Sequence, residues 1–303
     1  MRIVSLVPGA TEIVLRLGAV DELVGITYAC EDLVGRGNRK LVVKPRVDTE
    51  GMSAREINQM MNEIRQQGLS PYVIDVQTLK ELRPDVVFCQ SLCEVCAVIP
   101  DDIMEALATL SPRPRVVDLH PHDLNDIMKD VVKVASAIGR RAEGEELKSR
   151  MSSEIESLMR LTVGTEEKRT FFIEWPEPAF CSGHWVPDMI SRVNGIDLGE
   201  LGKPSRPVRE DEVDRHSPDV IIFGPCGFNL NRAMEELLAL YDKSWFTRQP
   251  AVLAGEVYAV DAKRYFSSHG VSVVDGVKVL AEILHPRVVK GVAPPGSFMR
   301  SPI

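Results

Sequence analysis

The stretch Leu82-Arg83-Pro84-Asp85-Val86-Val87-Phe88 has a close copy in the second half of the chain, His216-Ser217-Pro218-Asp219-Val220-Ile221-Ile222-Phe223. In each copy a Pro-Asp pair leads into a short, continuous apolar run, which is typical of a buried strand. A cysteine-containing loop follows each copy, at 89–96 and at 225–228, and a further apolar run follows each loop. Pro-Asp-Val before an apolar run also arises by coincidence, but the same order twice favours two similar Rossmann-like halves.

Short apolar runs alternate with helical patterns through both halves. Residues 3–7 predict a strand, and residues 11–17 predict a helix after a Pro8-Gly9 turn, with Thr11 as its cap. Ser53-Ala54-Arg55-Glu56 is a capping box that opens another helix. Strands that alternate with helices favour parallel sheets. The predicted fold class is therefore α/β, with two Rossmann-like lobes whose parallel sheets are joined by a long connector helix.

The chain divides into four predicted segments. We expect an N-terminal lobe over 1–122, a helical connector over 123–165, a C-terminal lobe over 166–289 and an irregular tail over 290–303. Apolar residues recur at helical spacing through the connector, and Gly139 and Gly144 are the candidate breaks between two helices in it. Because the connector is charged and has no Gly/Ser-rich linker, we expect it to be stiff.

Composition excludes several classes of function. The chain has 303 residues, a formal net charge of −8 and 44% hydrophobic residues, which is ordinary for a packed globular protein. An acidic chain has no electrostatic footprint for nucleic acid, so no nucleic-acid partner is expected. No apolar run approaches the roughly 18 residues of a membrane span, so we expect no membrane insertion. With no signal peptide visible, the expected location is cytoplasmic, or periplasmic or extracellular if this is a trimmed mature chain.

The motifs of common enzymes are missing. The sequence has no Gly-x-Gly-x-x-Gly loop after a strand, no Walker loop, no Gly-x-Ser-x-Gly elbow and no His-Glu-x-x-His. No pairing of a nucleophile with a base is visible either. The interpretation is a binding protein rather than an enzyme, with a redox or cofactor-modifying enzyme as the minor alternative.

The cysteines supply a metal hypothesis. Cys93 and Cys96 form a Cys-x-x-Cys pair that suits a soft metal, and Cys89 extends it to Cys-x3-Cys-x2-Cys, a spacing that suits an iron–sulfur cluster. Cys226, from the other lobe, is the candidate fourth ligand. An iron–sulfur or zinc protein is therefore the alternative function, although small apolar thiols that fill a loop give the same pattern.

Ligands of parallel α/β sheets bind beyond the carboxyl ends of the strands, and unusual loops lie at several such ends. Aromatic residues there would wall a cleft, while backbone and amide groups would fix a ligand. A histidine in such a loop could ligate a metal. The candidate ligand-binding residues are Pro8, Thr11, Tyr28, Gln90, Trp175, Gly183, His184, Trp185, Gly227 and Phe228.

Three stretches carry a family resemblance. Val4-Ser5-Leu6-Val7-Pro8-Gly9-Ala10-Thr11-Glu12-Ile13, Leu82-Arg83-Pro84-Asp85-Val86-Val87 and Leu280-Ala281-Glu282-Ile283-Leu284-His285-Pro286 resemble the substrate-binding proteins of ABC transporters for vitamin B12 and iron–siderophores. The loops at 90–98, 183–187 and 225–228 resemble a subgroup without signal peptides that is described as cobalamin-binding.

The resemblance implies a particular ligand and partner. It implies two lobes joined by a helix, with a corrinoid such as cobalamin, or another metal chelate, held between them. Tyr28, Trp175, Trp185 and Phe228 would then cover the ring faces, and His184 or a cysteine would approach the cobalt. The partner would be an ABC-type permease that receives the ligand.

Overall fold

The computed structural model describes residues 1–35, 37–90 and 107–303 of the chain. Two six-stranded sheets form two lobes, which confirms the predicted α/β class. In the N lobe the strand order is β4-β3-β2-β1-β5-β6. Its strands are β1 (Ile3–Ser5), β2 (Leu23–Thr27), β3 (Lys40–Pro45), β4 (Tyr72–Ile74), β5 (Val86–Gln90) and β6 (Arg115–Leu119). All neighbouring strands run parallel except β3 and β4.

The described part of the N lobe contains four α-helices. They are α1 (Pro8–Arg16), α2 (Glu31–Val34), α3 (Ala54–Gln66) and α4 (Val76–Leu82), with 3-10 turns at Val20–Glu22 and Tyr28–Cys30. The capping box at Ser53 is confirmed, because its side chain accepts from the Glu56 amide. The predicted Pro8-Gly9 turn is instead the first turn of α1, where the fixed φ of a proline suits a helix and its missing N–H costs nothing.

The C lobe repeats the arrangement. Its main strand order is β12-β11-β10-β7-β8, and β9 also pairs with β7. The strands are β7 (Lys168–Trp175), β8 (Phe180–Cys181), β9 (Gly195–Asp197), β10 (Val220–Phe223), β11 (Val257–Val260) and β12 (Phe298–Arg300). The helices that follow the connector are α7 (Val186–Arg192), α8 (Glu210–His216), α9 (Leu230–Leu238), α10 (Ser244–Thr247), α11 (Pro250–Leu253), α12 (Ala262–Tyr265) and α13 (Val273–Leu284), with a 3-10 turn at Ala239–Asp242.

The two copies of the Pro-Asp stretch occupy equivalent places. Asp85 precedes β5 and accepts a hydrogen bond from the Arg2 amide at 2.6 Å, while Asp219 precedes β10 and accepts one from the Arg169 amide at 2.9 Å. In both lobes the aspartate thus ties the strand that follows it to the start of the neighbouring parallel strand, β1 or β7. The residue two before each aspartate, Arg83 or Ser217, has a left-handed backbone that ends the preceding helix.

The expected irregular tail differs from the structure. Phe298–Arg300 forms β12, which pairs antiparallel with β11 at the edge of the C-lobe sheet. The strand is held because the Phe298 ring packs against Tyr258, and because the Ser301 amide donates to the Val257 carbonyl at 2.8 Å. The end of the chain is therefore part of the C lobe.

The connector consists of two helices, α5 (Leu124–Ala137) and α6 (Arg141–Thr162). The predicted break at Gly139 is confirmed, since this glycine has a φ of 75° between the helices. The break at Gly144 is wrong: Gly144 lies inside α6. A Cβ there would lie 2.3 Å from the Ala135 Cβ, so the missing side chain lets α5 and α6 approach closely. No helix in the described ranges combines the length and the apolar character that crossing a bilayer requires.

We expect Gly144→Val to lower the free energy of unfolding by about 2 kcal/mol, because the added side chain would overpack the contact with Ala135. Urea unfolding followed by circular dichroism measures the change. Glu146→Val is the control, since it places the same β-branched residue on the exposed face of α6. A loss in Gly144→Val that is no larger than the loss in Glu146→Val would show that close packing against Ala135 is not responsible.

Candidate functional site

The two lobes meet where α1 begins. A Cβ on Gly9 would lie 2.9 Å from the carbonyl carbon and oxygen of His269, so only glycine allows this approach. Pro8, predicted to bind ligand, starts the helix at this contact. Thr11 is fully buried, donates to the Ser5 hydroxyl at 2.8 Å and contacts the Cys30 sulfur at 3.0 Å. The Thr11 side chain therefore packs inside the N lobe, where it stabilises the connection between β1 and α1.

A second contact between the lobes involves a carboxyl group. Glu12 of α1 is 6% exposed and accepts a hydrogen bond from the Ser272 hydroxyl, just before α13, at 2.9 Å. Burial raises the pKa of Glu12, although the hydrogen bonds from Ser272 oppose the shift. A Cβ on Gly270 would overlap this carboxylate at 2.0 Å. The loop before α13 therefore closes tightly around a side chain of the opposite lobe.

The carboxyl ends of the N-lobe strands contribute two of the predicted residues. Tyr28 follows β2, is half-buried and has its ring 6.2 Å from that of Tyr72. Gln90 is the last residue of β5 and is also half-buried. Both side chains are therefore partly exposed at the carboxyl edge of the N-lobe sheet, which is where the resemblance places a ligand.

An aromatic pair lies at the matching edge of the C lobe. Trp175 ends β7 and Phe228 follows β10, and their rings meet edge to face at 5.6 Å. Phe228 is only 3% exposed, and the Arg232 guanidinium lies 3.9 Å from the centre of its ring. Gly227 has a φ of 81°, and its amide donates to the Ser267 hydroxyl at 3.0 Å. The structure therefore brings Trp175, Gly227 and Phe228 together.

Gly183, His184 and Trp185 lie deeper in the C lobe than predicted. A Cβ on Gly183 would lie 2.2 Å from the Ser205 amide nitrogen, so this glycine is required for packing. His184 has a strained φ of 54°, and its buried Nδ1 has no hydrogen-bond partner in the described parts of the chain. Trp185 is 5% exposed and donates from Nε1 to the Phe266 carbonyl at 3.2 Å. Trp185 therefore packs in the interior of the C lobe and stabilises its fold.

His269 is a residue that the sequence did not single out. It is 1% exposed, and neither ring nitrogen has a hydrogen-bond partner within 1–35, 37–90 and 107–303. Burial lowers the pKa of His269 to about 4, so the ring is neutral at pH 7. Its ring centre lies 5.7 Å from that of Trp185. No local pattern distinguishes this histidine from an exposed one, because its burial depends on residues distant in the chain, such as Trp185.

The cysteine hypothesis receives no support from the described residues. Cys93 and Cys96 lie outside them. Cys89 is buried, and its thiol points to the Val117 carbonyl at 3.6 Å, while Cys226 is exposed in the other lobe. Burial raises the pKa of Cys89 to about 12, which opposes the thiolate that a metal requires. Over 1–35, 37–90 and 107–303, no group of three or more histidine, cysteine or acidic side chains could hold a metal.

Two α/β lobes are joined by two connector helices and touch near the carboxyl edges of their sheets, an arrangement that is typical of two-lobed binding proteins. The chain belongs to the periplasmic binding protein family, whose model, described as "Periplasmic binding protein", matches residues 3–263. The family and its structural neighbours are substrate-binding proteins and not enzymes, as predicted. The family favours a periplasmic or extracellular location and gives the expected cytoplasmic one no support.

Solved structures share the fold at low sequence identity. The periplasmic vitamin B12 binding protein BtuF of Vibrio cholerae is 18% identical, with a TM-score of 0.67 over 93% of this chain and 96% of that one. A periplasmic heme binding protein from Pseudomonas aeruginosa is 13% identical, with a TM-score of 0.75 over 100% and 98%. An ABC transporter substrate-binding protein from Listeria monocytogenes is 13% identical, with a TM-score of 0.68 over 94% and 99%. No curated protein matches the sequence.

Proposed function

We propose that the protein binds a corrinoid of the cobalamin type in the cleft between its lobes. One observation carries this proposal: the carboxyl edges of the two sheets meet, as the contact of Gly9 with His269 shows. The loops at these edges are rich in aromatic residues. The resemblance implies a ligand between the lobes, and proteins of the same fold are described as binding vitamin B12 or heme. These ligands share a flat ring around a metal.

The chemistry of a corrinoid suits the residues at these edges. Its ring faces are apolar, so Tyr28 and Trp175 would cover them, and its rim carries amides that Gln90 would hydrogen-bond. Phe228 and Trp185 are both buried, so they would pack beneath the residues that contact the ligand. His184 or Cys226 would approach the metal from the C-lobe side.

Titration with cyanocobalamin, followed by calorimetry and corrin absorption, tests the proposal. We expect a dissociation constant below about 10 μM, and hemin and a ferric siderophore should bind more weakly in parallel titrations. Tyr28→Ala should weaken cyanocobalamin binding about tenfold, while Tyr241→Ala, which alters a ring packed on Phe246 in the C lobe, should not. Tight binding of hemin alone would replace the corrinoid with heme, and binding of none of the three would remove the proposal.

We further propose that the loaded protein delivers its ligand to an ABC-type permease outside the cytoplasm. The family and the neighbour described as an ABC transporter substrate-binding protein support this role. Detection of ligand-dependent binding to a permease reconstituted in lipid would establish the partner. Ligand uptake that is unchanged in cells without this protein would argue against it.

A further inference from the structure

Residues 46–71 leave the N lobe and return to the same point. They connect β3 to β4, whose ends pair antiparallel with Pro45 opposite Tyr72. We call residues 46–71 the strap. It carries α3, and instead of folding back onto its own sheet it extends to the C lobe. Because both of its ends are fixed at one sheet edge, the strap can move as a unit without altering the sheet.

Apolar side chains attach one face of the strap to the C lobe. Ala54 and Ile57, 1% and 9% exposed, belong to the hydrophobic cluster built on β7, β10 and α9. Met52 and Met61 pack against the same cluster. The contact therefore gives a short N-lobe helix part of its hydrophobic burial in the opposite lobe.

Polar contacts complete the attachment. The Arg232 guanidinium donates to the Met52 carbonyl at 2.6 Å, and the Ala54 amide donates to the Glu236 carboxylate at 3.0 Å. Arg55 and Glu177 form a loose ion pair at 3.9 Å. Arg232 and Glu236 both belong to α9, so the strap and this C-lobe helix are joined at the start of α3.

The attached strap lies in the same hydrophobic cluster as the aromatic pair. Arg232, which holds Met52, also lies over the Phe228 ring, and Phe228 contacts Trp175. Phe228 and Trp175 pack with Ala54 and Ile57 in one cluster. The strap and the two rings thus share one cluster, and Arg232 links the strap to the Phe228 ring.

The other face of α3 is polar and open. It lines a cavity of about 780 Å³ together with the turn at 176–179 and residues around Trp245. The strap side of this cavity is formed by Arg55, Asn58, Gln59, Asn62, Glu63 and Gln66. Since only one face of α3 is buried, detaching it costs far less than unfolding a sheet, and segments with few buried contacts open locally.

We propose that the strap is a gate: it detaches from the C lobe while both sheets stay folded, and so uncovers Trp175, whose ring lies on Phe228, for ligand entry. The role of the gate in ligand entry rests on the proposed function, because it requires a ligand that binds in this cleft. Its opening is a property of the chain alone and can be measured without ligand.

Hydrogen–deuterium exchange on the ligand-free protein tests the opening. We expect the amides of α3 to exchange at least tenfold faster than those of β1 and β10. Ile57→Ala should increase the exchange rates of the α3 amides a further tenfold and leave those of the β1 and β10 amides unchanged. Ile64→Ala is the matched control, because Ile64 is equally buried on α3 but does not belong to the C-lobe cluster. Exchange of wild-type α3 at the rate of the sheets, or equal acceleration by both variants, would overturn the gate.

Stopped-flow binding of cyanocobalamin tests entry. Ile57→Ala should raise the association rate severalfold, while Ile64→Ala should match the wild type. An unchanged rate in Ile57→Ala would overturn the gate even if cyanocobalamin binds tightly. If cyanocobalamin does not bind at all, the proposed ligand falls, and the exchange experiment alone decides whether the strap opens.

Discussion

Acidification from pH 7 to pH 4 is expected to remove about 3 kcal/mol of unfolding free energy through His269 alone. Burial lowers the pKa of this histidine from 6.5 to about 4. As the pH falls below 6.5, the unfolded chain takes up a proton that the folded chain does not, so the stability present above pH 6.5 is lost towards pH 4. The physical cause is that the buried surroundings of His269 cannot solvate an imidazolium.

Buried carboxyl groups act in the opposite direction. Burial raises the pKa of Glu12, that of Asp130 to about 7 and that of Asp197 to about 6, and these groups stabilise the fold as the pH falls. The His269 contribution must therefore be measured as a difference between variants. Urea unfolding should show that, between pH 8 and pH 4, the unfolding free energy of His269→Leu falls by about 3 kcal/mol less than that of the wild type.

His122→Leu is the control for that comparison, because it removes an exposed histidine. Parallel stability curves for the wild type and His269→Leu would contradict the burial of a neutral histidine at this position.

Gly9→Val is expected to cost about 3 kcal/mol of unfolding free energy and to separate the lobes. The new Cβ would lie 2.9 Å from backbone atoms of His269, and backbone cannot move aside as a flexible side chain does. Small-angle X-ray scattering should show a larger radius of gyration for the variant than for the wild type. Urea unfolding measures the loss of stability.

Arg16→Val is the matched control for Gly9→Val. It introduces the same residue on the exposed end of the same helix. A Gly9→Val protein with wild-type dimensions and stability would show that α1 and the loop before α13 do not touch in solution. The cleft would then be wider than the structure indicates.

The architecture was predictable because it depends on local patterns that occur twice. Pro84-Asp85 and Pro218-Asp219 mark equivalent strands, and Gly139 marks the break in the connector with a φ that few other residues adopt. Gly144 was misinterpreted because its role is to admit Ala135 from a neighbouring helix. A glycine that permits close packing and a glycine that ends a helix look the same in a sequence.

The candidate site was only partly predictable, since burial depends on contacts between distant residues. Trp175, Gly227 and Phe228 were found because they lie at or after the ends of strands. The packing of Phe228 in one cluster with Ile57 was not found, since these residues are far apart in the chain. Trp185 and Thr11 were identified by residue type and position, yet both are buried. The roles of Cys93 and Cys96 stay predictions.

A crystal structure of the protein grown with cyanocobalamin tests the central claim most directly. The account predicts electron density for the corrin ring between the lobes, with Tyr28 and Gln90 on one side and Trp175 on the other. Density for the corrinoid on an outer surface, or an empty space between the lobes at saturating ligand, would contradict it.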